Sequence, residues 1–226
     1  MSPPLSFLVI IDSMIRSERI ANKINENIRT WKQDHAKLIV AIDGYAGSGK
    51  TTIANYVAKG NSDVAVLHLD DFIKHWKDRK KLIDTAEDKS KVFEYEWYCY
   101  GDLEKIVRQF KSKKSGTVKY KTYDYDANDF GPEKSLDLSK KVLVIDGIFL
   151  FHSEHRVNKF WDKRVYLDAD FVKADKMRIA REKKKWGRAY VSEKHPDNWT
   201  KYFKTAYRRY VKEYKPQKCA DVKFEV

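Results

Sequence analysis

Apolar residues fall into two patterns along the chain. The first is the continuous run. Leu38-Ile39-Val40-Ala41-Ile42 ends at Asp43-Gly44, and similar runs lie at 64–69, 142–145 and 165–167. Runs of this length suit strands buried on both faces of a parallel sheet. The second is helical spacing. Ile20, Ile24, Ile28 and Trp31 recur with charged residues between them, which predicts an amphipathic helix over 13–33, within an N-terminal region spanning 1–36. Helix-length stretches at 51–59, 103–113 and 172–185 alternate with the apolar runs, the sequence form of right-handed βαβ units. The expected fold class is α/β: a three-layer α/β/α sandwich with a parallel sheet, formed by one domain over 1–226. Segment 84–135 fits the alternation poorly, mixing aromatics, acids and a hairpin signal at 117–126, and reads as a substrate-binding excursion.

Composition narrows the class. A hydrophobic fraction of 42% supports a packed interior, and 9 glycines and 5 prolines in 226 residues argue against a linker-rich array. The apolar run at 5–11 falls short of the roughly 20 residues that a membrane span needs, so no membrane partner is expected. Cys99 and Cys219 lack CxxC spacing, which disfavours a disulfide framework and a zinc site, and a reducing cytoplasm is the expected location. The net charge of +13 implies affinity for anions such as nucleotides, phosphorylated metabolites or nucleic acid.

Chemistry concentrates at the ends of the apolar runs. Gly44-Tyr45-Ala46-Gly47-Ser48-Gly49-Lys50-Thr51 matches GxxxxGK[ST] between an expected strand and an expected helix, the context its mechanism requires. The glycines turn backbone amides toward phosphate oxygens, the helix N-terminus adds a favourable dipole, Lys50 reaches the outer phosphates and Thr51 offers a hydroxyl to Mg²⁺. The plain alternative, a glycine turn capping a helix, does not account for the Lys-Thr pair. Asp146 ends an apolar run and is expected beside the nucleotide metal, although an acid there also serves turns and caps. His68-Leu69-Asp70-Asp71-Phe72 places two acids at the rim where open α/β sheets bind ligands. Either could accept a proton from an attacking hydroxyl, Asp70 being preferred, and both could instead cap the next helix.

From about Lys37 onward the chain resembles the uridine kinases and their relatives, including phosphoribulokinase and bacterial pantothenate kinase. The likeness rests on residues 44–52, Leu69-Asp70-Asp71-Phe72, Thr122-Tyr123-Asp124, Val144-Ile145-Asp146-Gly147-Ile148, Leu167-Asp168-Ala169-Asp170, Arg178, Arg181, Gly187-Arg188 and Cys219-Ala220-Asp221-Val222. The resemblance implies a P-loop kinase that uses ATP and Mg²⁺, binding ATP through residues 44–52, Thr52 included. It implies Asp70 as base and metal contact, Asp146 (commonly Glu in the family) with Thr51 at the magnesium, and a lid over 178–196 whose Arg181 faces the phosphates. It also implies nucleoside contacts from Tyr123, Arg178, Arg188 and an acid at Glu94, while a family histidine is Asn128 here. The acceptor it implies is the 5′-hydroxyl of uridine or cytidine. Another small alcohol, pantothenate-like or sugar-like, is the nearest rival.

A rival of a different class is a nucleic-acid-binding ATPase, motivated by the charge and by basic stretches at 111–114 and 183–185. No helicase-type motif accompanies them, so the expected partner is a small-molecule substrate, nucleic acid is not expected, and the reading leaves room for a homo-oligomer. Asp129-Phe130-Gly131 matches the protein-kinase DFG without an HRD-type loop or APE, and carries no weight.

Overall fold

The computed structural model describes residues 5–124, 126–195 and 198–226, with backbone alone for 5–13 and 189. The expected N-terminal region and lid therefore extend slightly beyond the described residues, at 1–4 and at 196. Helix α1 (Leu5–Trp31) leads into β1 (Leu38–Gly44), α2 (Lys50–Lys59), β2 (Val64–His68) and α3 (Trp76–Thr85). A short α4 (Lys89–Lys91) runs into a π turn (Val92–Glu96), followed by α5 (Tyr100–Ser112). Strands β3 (Thr117–Tyr120), β4 (Tyr123–Asp124), β5 (Asp129–Phe130) and β6 (Lys134–Asp137) precede β7 (Val142–Gly147) and β8 (Lys163–Asp168). The chain continues through α6 (Phe171–Trp186), α7 (Thr200–Tyr214), α8 (Pro216–Cys219) and β9 (Val222–Glu225).

Five strands form one parallel sheet in the order β2-β7-β1-β8-β9. The apolar runs at 38–42, 64–69, 142–145 and 165–167 all lie within or across these strands. β9 escaped the pattern reading because it is an edge strand whose residues alternate between half-buried and exposed, leaving no continuous apolar run. Successive residues of β1 point to opposite faces. Leu38, Val40 and Ile42 pack with Ile20, Ile24 and Ile28 of α1 and Ile53 and Val57 of α2. Ile39 and Ala41 face the second core with Leu103, Val107 and Phe110 of α5 and Tyr207 and Tyr210 of α7. The helix layers on both faces make the three-layer α/β/α sandwich. The N-terminal helix starts earlier than the predicted 13–33 and shares a face with α2, where Asn25 Nδ2 donates to the Val57 carbonyl at 3.1 Å.

Segment 84–135 divides in the structure. Its middle, α5, belongs to a helix layer, because its apolar residues follow the i, i+3, i+4, i+7 spacing that buries one stripe. The hairpin is longer than 117–126: β3 pairs with β6 and β4 with β5, all antiparallel, so the arm runs to Asp137. Asp129 and Phe130 sit exposed on β5, which disposes of the DFG match. Helix α7 was not read from the sequence, its buried positions being tyrosines (Tyr207, Tyr210) whose amphipathic character blurs the stripe.

One buried acid ties the C-terminal helix to the sheet. Asp43 is fully buried and accepts from the Tyr210 hydroxyl and from the amides of Gly44 and, at 3.4 Å, Phe151. Burial pushes its carboxyl up to about 6, against the opposing pull of the Tyr210 hydrogen bond and the Lys50 charge. The native state then holds this proton more tightly than the unfolded chain, so the stability contributed is full below about pH 4 and is lost as pH rises through about 6. Asp43→Asn is expected to remove this dependence. Denaturant titrations at pH 4 and pH 7 should show wild type losing about 2 kcal/mol more than the variant over that range.

Candidate active site

The C-terminal ends of the central strands open onto a cleft of about 730 Å³. The glycine loop after β1 forms its floor. Gly47 has φ 88°, and a Cβ there would stand 2.6 Å from the carbonyl oxygen of Ala174 in α6, so backbone conformation and space both demand glycine. Gly49, at φ 86°, caps α2 without a side chain, which leaves the amides of the first turn directed at the loop. Lys50 Nζ donates to the carbonyls of Gly44 and Tyr45, each at 2.8 Å. Burial lowers its ammonium pKa, with Asp43, Asp146 and Asp70 opposing that shift. Ala46 and Thr52 line the cleft. The ring of Tyr45 turns away from it: buried against Phe171 and Tyr207, its hydroxyl donates to Asp175 Oδ1 at 3.1 Å. Ser48 is also buried, and its Oγ has no hydrogen-bond partner among the described residues.

Two carboxylates face the loop. Thr51 Oγ1 donates to Asp146 Oδ2 at 2.8 Å, while His68 Nδ1 bonds the other oxygen of Asp146. Burial by itself would lower the His68 imidazole, and the hydrogen bond and charge of Asp146 override it, leaving the pKa raised. Asp70, on the 3-10 turn Leu69–Phe72, is open to the cleft at its surface yet lies deep within the surrounding protein. That burial and the charge of Asp146 push its carboxyl up, while Lys50, Tyr98 and Arg181 pull it down. The Tyr98 hydroxyl donates to Asp70 Oδ1 at 3.3 Å. Asp71 points elsewhere, to Lys134 Nζ at 2.8 Å on the hairpin arm. Thr51, Asp146 and Asp70 thus present oxygen donors alone, a hard set with two carboxylates, which fits Mg²⁺ shared with phosphate and water.

One side of the cleft is set by α6, on which the expected lid begins, and its N-terminus is capped by Asp170 Oδ1 accepting from the Lys173 amide at 2.8 Å. Arg178 lines the cleft, but its guanidinium is claimed by Asp175 at 2.9 Å, both oxygens of Glu182 at 2.8 Å, and Glu193. Lys204 of α7 joins Asp175 at 2.6 Å and Glu193 at 2.7 Å, so the network fastens α6 to α7. Arg181 is exposed, lines the cleft, and stands near enough to pull on Lys50 and Asp70. Arg188 is exposed on the turn Gly187–Ala189 and is not among the cleft's lining.

The outer wall is aromatic: Phe93, Trp97, Tyr98, Phe149, Trp199 and Phe203. Two residues expected in the acceptor site lie behind it. Glu94 is fully buried on the π turn and accepts from Arg209 Nε at 2.9 Å. Tyr123 accepts from Arg79 Nη2 at 2.7 Å and donates to Asn128, and the Arg79 guanidinium lies over both the Trp97 ring at 4.9 Å and the Tyr123 ring at 4.8 Å. Of the four expected nucleoside contacts, only Arg178 lines the cleft. The aromatic wall went unread, although the density of aromatics in 93–100 carried part of the signal. Trp199 and Phe203 belong to no motif.

The residues that make this floor and rim fall within a span, 39–226, that matches the model of the Phosphoribulokinase / Uridine kinase family. Uridine kinase from Staphylococcus aureus is 30% identical over 161 residues, covering 70% of this chain and 74% of its own. Among solved structures, a possible uridine kinase from Bacillus stearothermophilus superposes with a TM-score of 0.66 at 24% identity, covering 93% of this chain and 98% of that one. Phosphoribulokinase from Rhodobacter spheroides superposes at 0.59 and 16% identity, over 84% and 70%. These two likenesses concern the fold alone, whereas the family match spans the loop, the acids and the lid, and on it the chain belongs to the phosphoribulokinase/uridine kinase family of P-loop kinases.

Proposed function

We propose that the protein transfers the γ-phosphate of ATP to a hydroxyl group of a small molecule, with the 5′-hydroxyl of uridine or cytidine as the first acceptor to test. The observation that carries the reading is the convergence of Lys50, the Thr51–Asp146 pair and Asp70 on one cleft at the sheet's rim. Asp70 takes the proton as the acceptor oxygen bonds to phosphorus and the bridging oxygen leaves with ADP. Its raised pKa makes it a stronger base than an ordinary aspartate. Lys50 and Arg181 place positive charge where the transferring group gathers negative charge. Mg²⁺, when bound, neutralises phosphate charge, and Thr51, Asp146 and Asp70 are the oxygens available to hold it.

Uridine is supported by the curated relatives named uridine kinase, and cytidine by the resemblance alone. The placement of Glu94, Tyr123 and Arg188 outside the cleft lining favours a second reading, the same chemistry on another small alcohol. Phosphorylation of a panel of nucleosides, sugars and pantothenate-like alcohols with labelled ATP separates the two. The charge-based reading of a nucleic-acid-binding ATPase finds less support, because Lys111 is engaged by Asp162 and Lys185 by Asp126.

Four substitutions test the roles. Lys50→Ala should cut turnover by orders of magnitude with the fold retained by circular dichroism, and near-normal turnover would sink the phosphate-loop assignment. Asp70→Asn should leave ATP affinity intact while lowering kcat about 10² to 10⁴-fold. A larger loss from Asp71→Asn would move the base to that residue. Arg178→Met removes a partner from Asp175, Glu182 and Glu193, of which Lys204 still holds the first and last, so thermal unfolding should show a loss of about 1.5 to 3 kcal/mol, together with faster proteolysis between α6 and α7. An unchanged melting curve would dismiss the network as a surface ornament.

A further inference from the structure

A second cavity, of about 330 Å³, lies against the phosphate loop. It shares Gly47, Gly49, Thr52 and Met177 with the larger cleft, so the loop separates the two. Its other walls come from places distant in sequence: Met14 and Ser17 of α1, Ala169 beyond β8, and Val226 beyond β9. Helix α1 precedes the 39–226 span that the family model matches.

We infer that α1 is part of the nucleotide-donor site, walling a cavity that takes the donor's purine ring. The inference rests on the ATP-donor reading above. A triphosphate on the glycine loop, with its terminal phosphorus toward Asp70 and Asp146, leaves its nucleoside at the other end of the loop, and this cavity opens on the same glycines. Its walls suit the faces of an aromatic ring. Met14 and Met177 are large apolar side chains left 50% and 45% exposed on two separate helices at this one cavity. Thioethers in that position adapt to and pack well against aromatic rings.

Calorimetric titration with Mg²⁺ present compares ATP with inorganic tripolyphosphate, which fills the loop but has no base. Wild type should bind ATP more tightly than tripolyphosphate. Met14→Gln removes an apolar wall at an exposed helical position, and Ala169→Leu fills the floor. Each should weaken ATP about three- to tenfold and leave tripolyphosphate within about twofold. Equal wild-type affinity for the two compounds would overturn the inference while sparing the donor reading. An effect of Ala169→Leu with none from Met14→Gln would exclude α1 from the site, and parallel losses of both ligands would show that the changes act through the loop. Failure of wild type to bind either compound would overturn the donor reading and the inference together.

Discussion

The close approach of the phosphate loop to α6 is the constraint on which the site depends. Without a side chain, Gly47 lets the loop backbone lie against the Ala174 carbonyl, and Tyr45 then drives its ring between Phe171 and Tyr207 with its hydroxyl on Asp175. The same Asp175 holds Arg178 and Lys204. Loop, α6 and α7 therefore share one buried carboxylate. Displacement of the glycine loop therefore has a direct physical route to α6 and α7 through contacts already made. Asp43 plays the matching part beneath the loop, joining the end of β1 to α7 through Tyr210.

Much of this was legible in the sequence because strong local rules apply there. A strand buried on both faces has to be apolar throughout, so β1, β7 and β8 announced themselves, and a loop that wraps phosphate requires glycines at fixed places, so residues 44–51 did too. Legibility failed where a residue's role is set by partners far away. Glu94 reads as an available acid, but the fold supplies Arg209 as its partner. Tyr123 reads either as plain packing or as a ring that stacks on a base, and the fold puts it under Arg79 and Asn128. Arg178 reads as a free cation, although Glu182 one turn further on already offered the partner that the structure uses. The aromatic wall draws Trp97 from the excursion and Trp199 from beyond the lid, meeting edge to face at 5.9 Å, and no local pattern encodes such a meeting.

The strand order carries a consequence for how the chain is made. β1 lies at the centre of the sheet, yet the strands that flank it, β7 and β8, begin only at Val142 and Lys163. During synthesis, an uninterrupted apolar segment therefore leaves the ribosome roughly a hundred residues ahead of either neighbour, and at about 5 to 20 residues per second it waits on the order of ten seconds with both edges unpaired. Parallel sheets of this connectivity fold slowly because long loops must close before any pairing rewards them. Until then the shielding of β1 falls to helices, first α1 and α2 on one of its faces and later α5 on the other. The N-terminal helix is in this respect a guardian of the nascent chain, synthesised before the strand it protects.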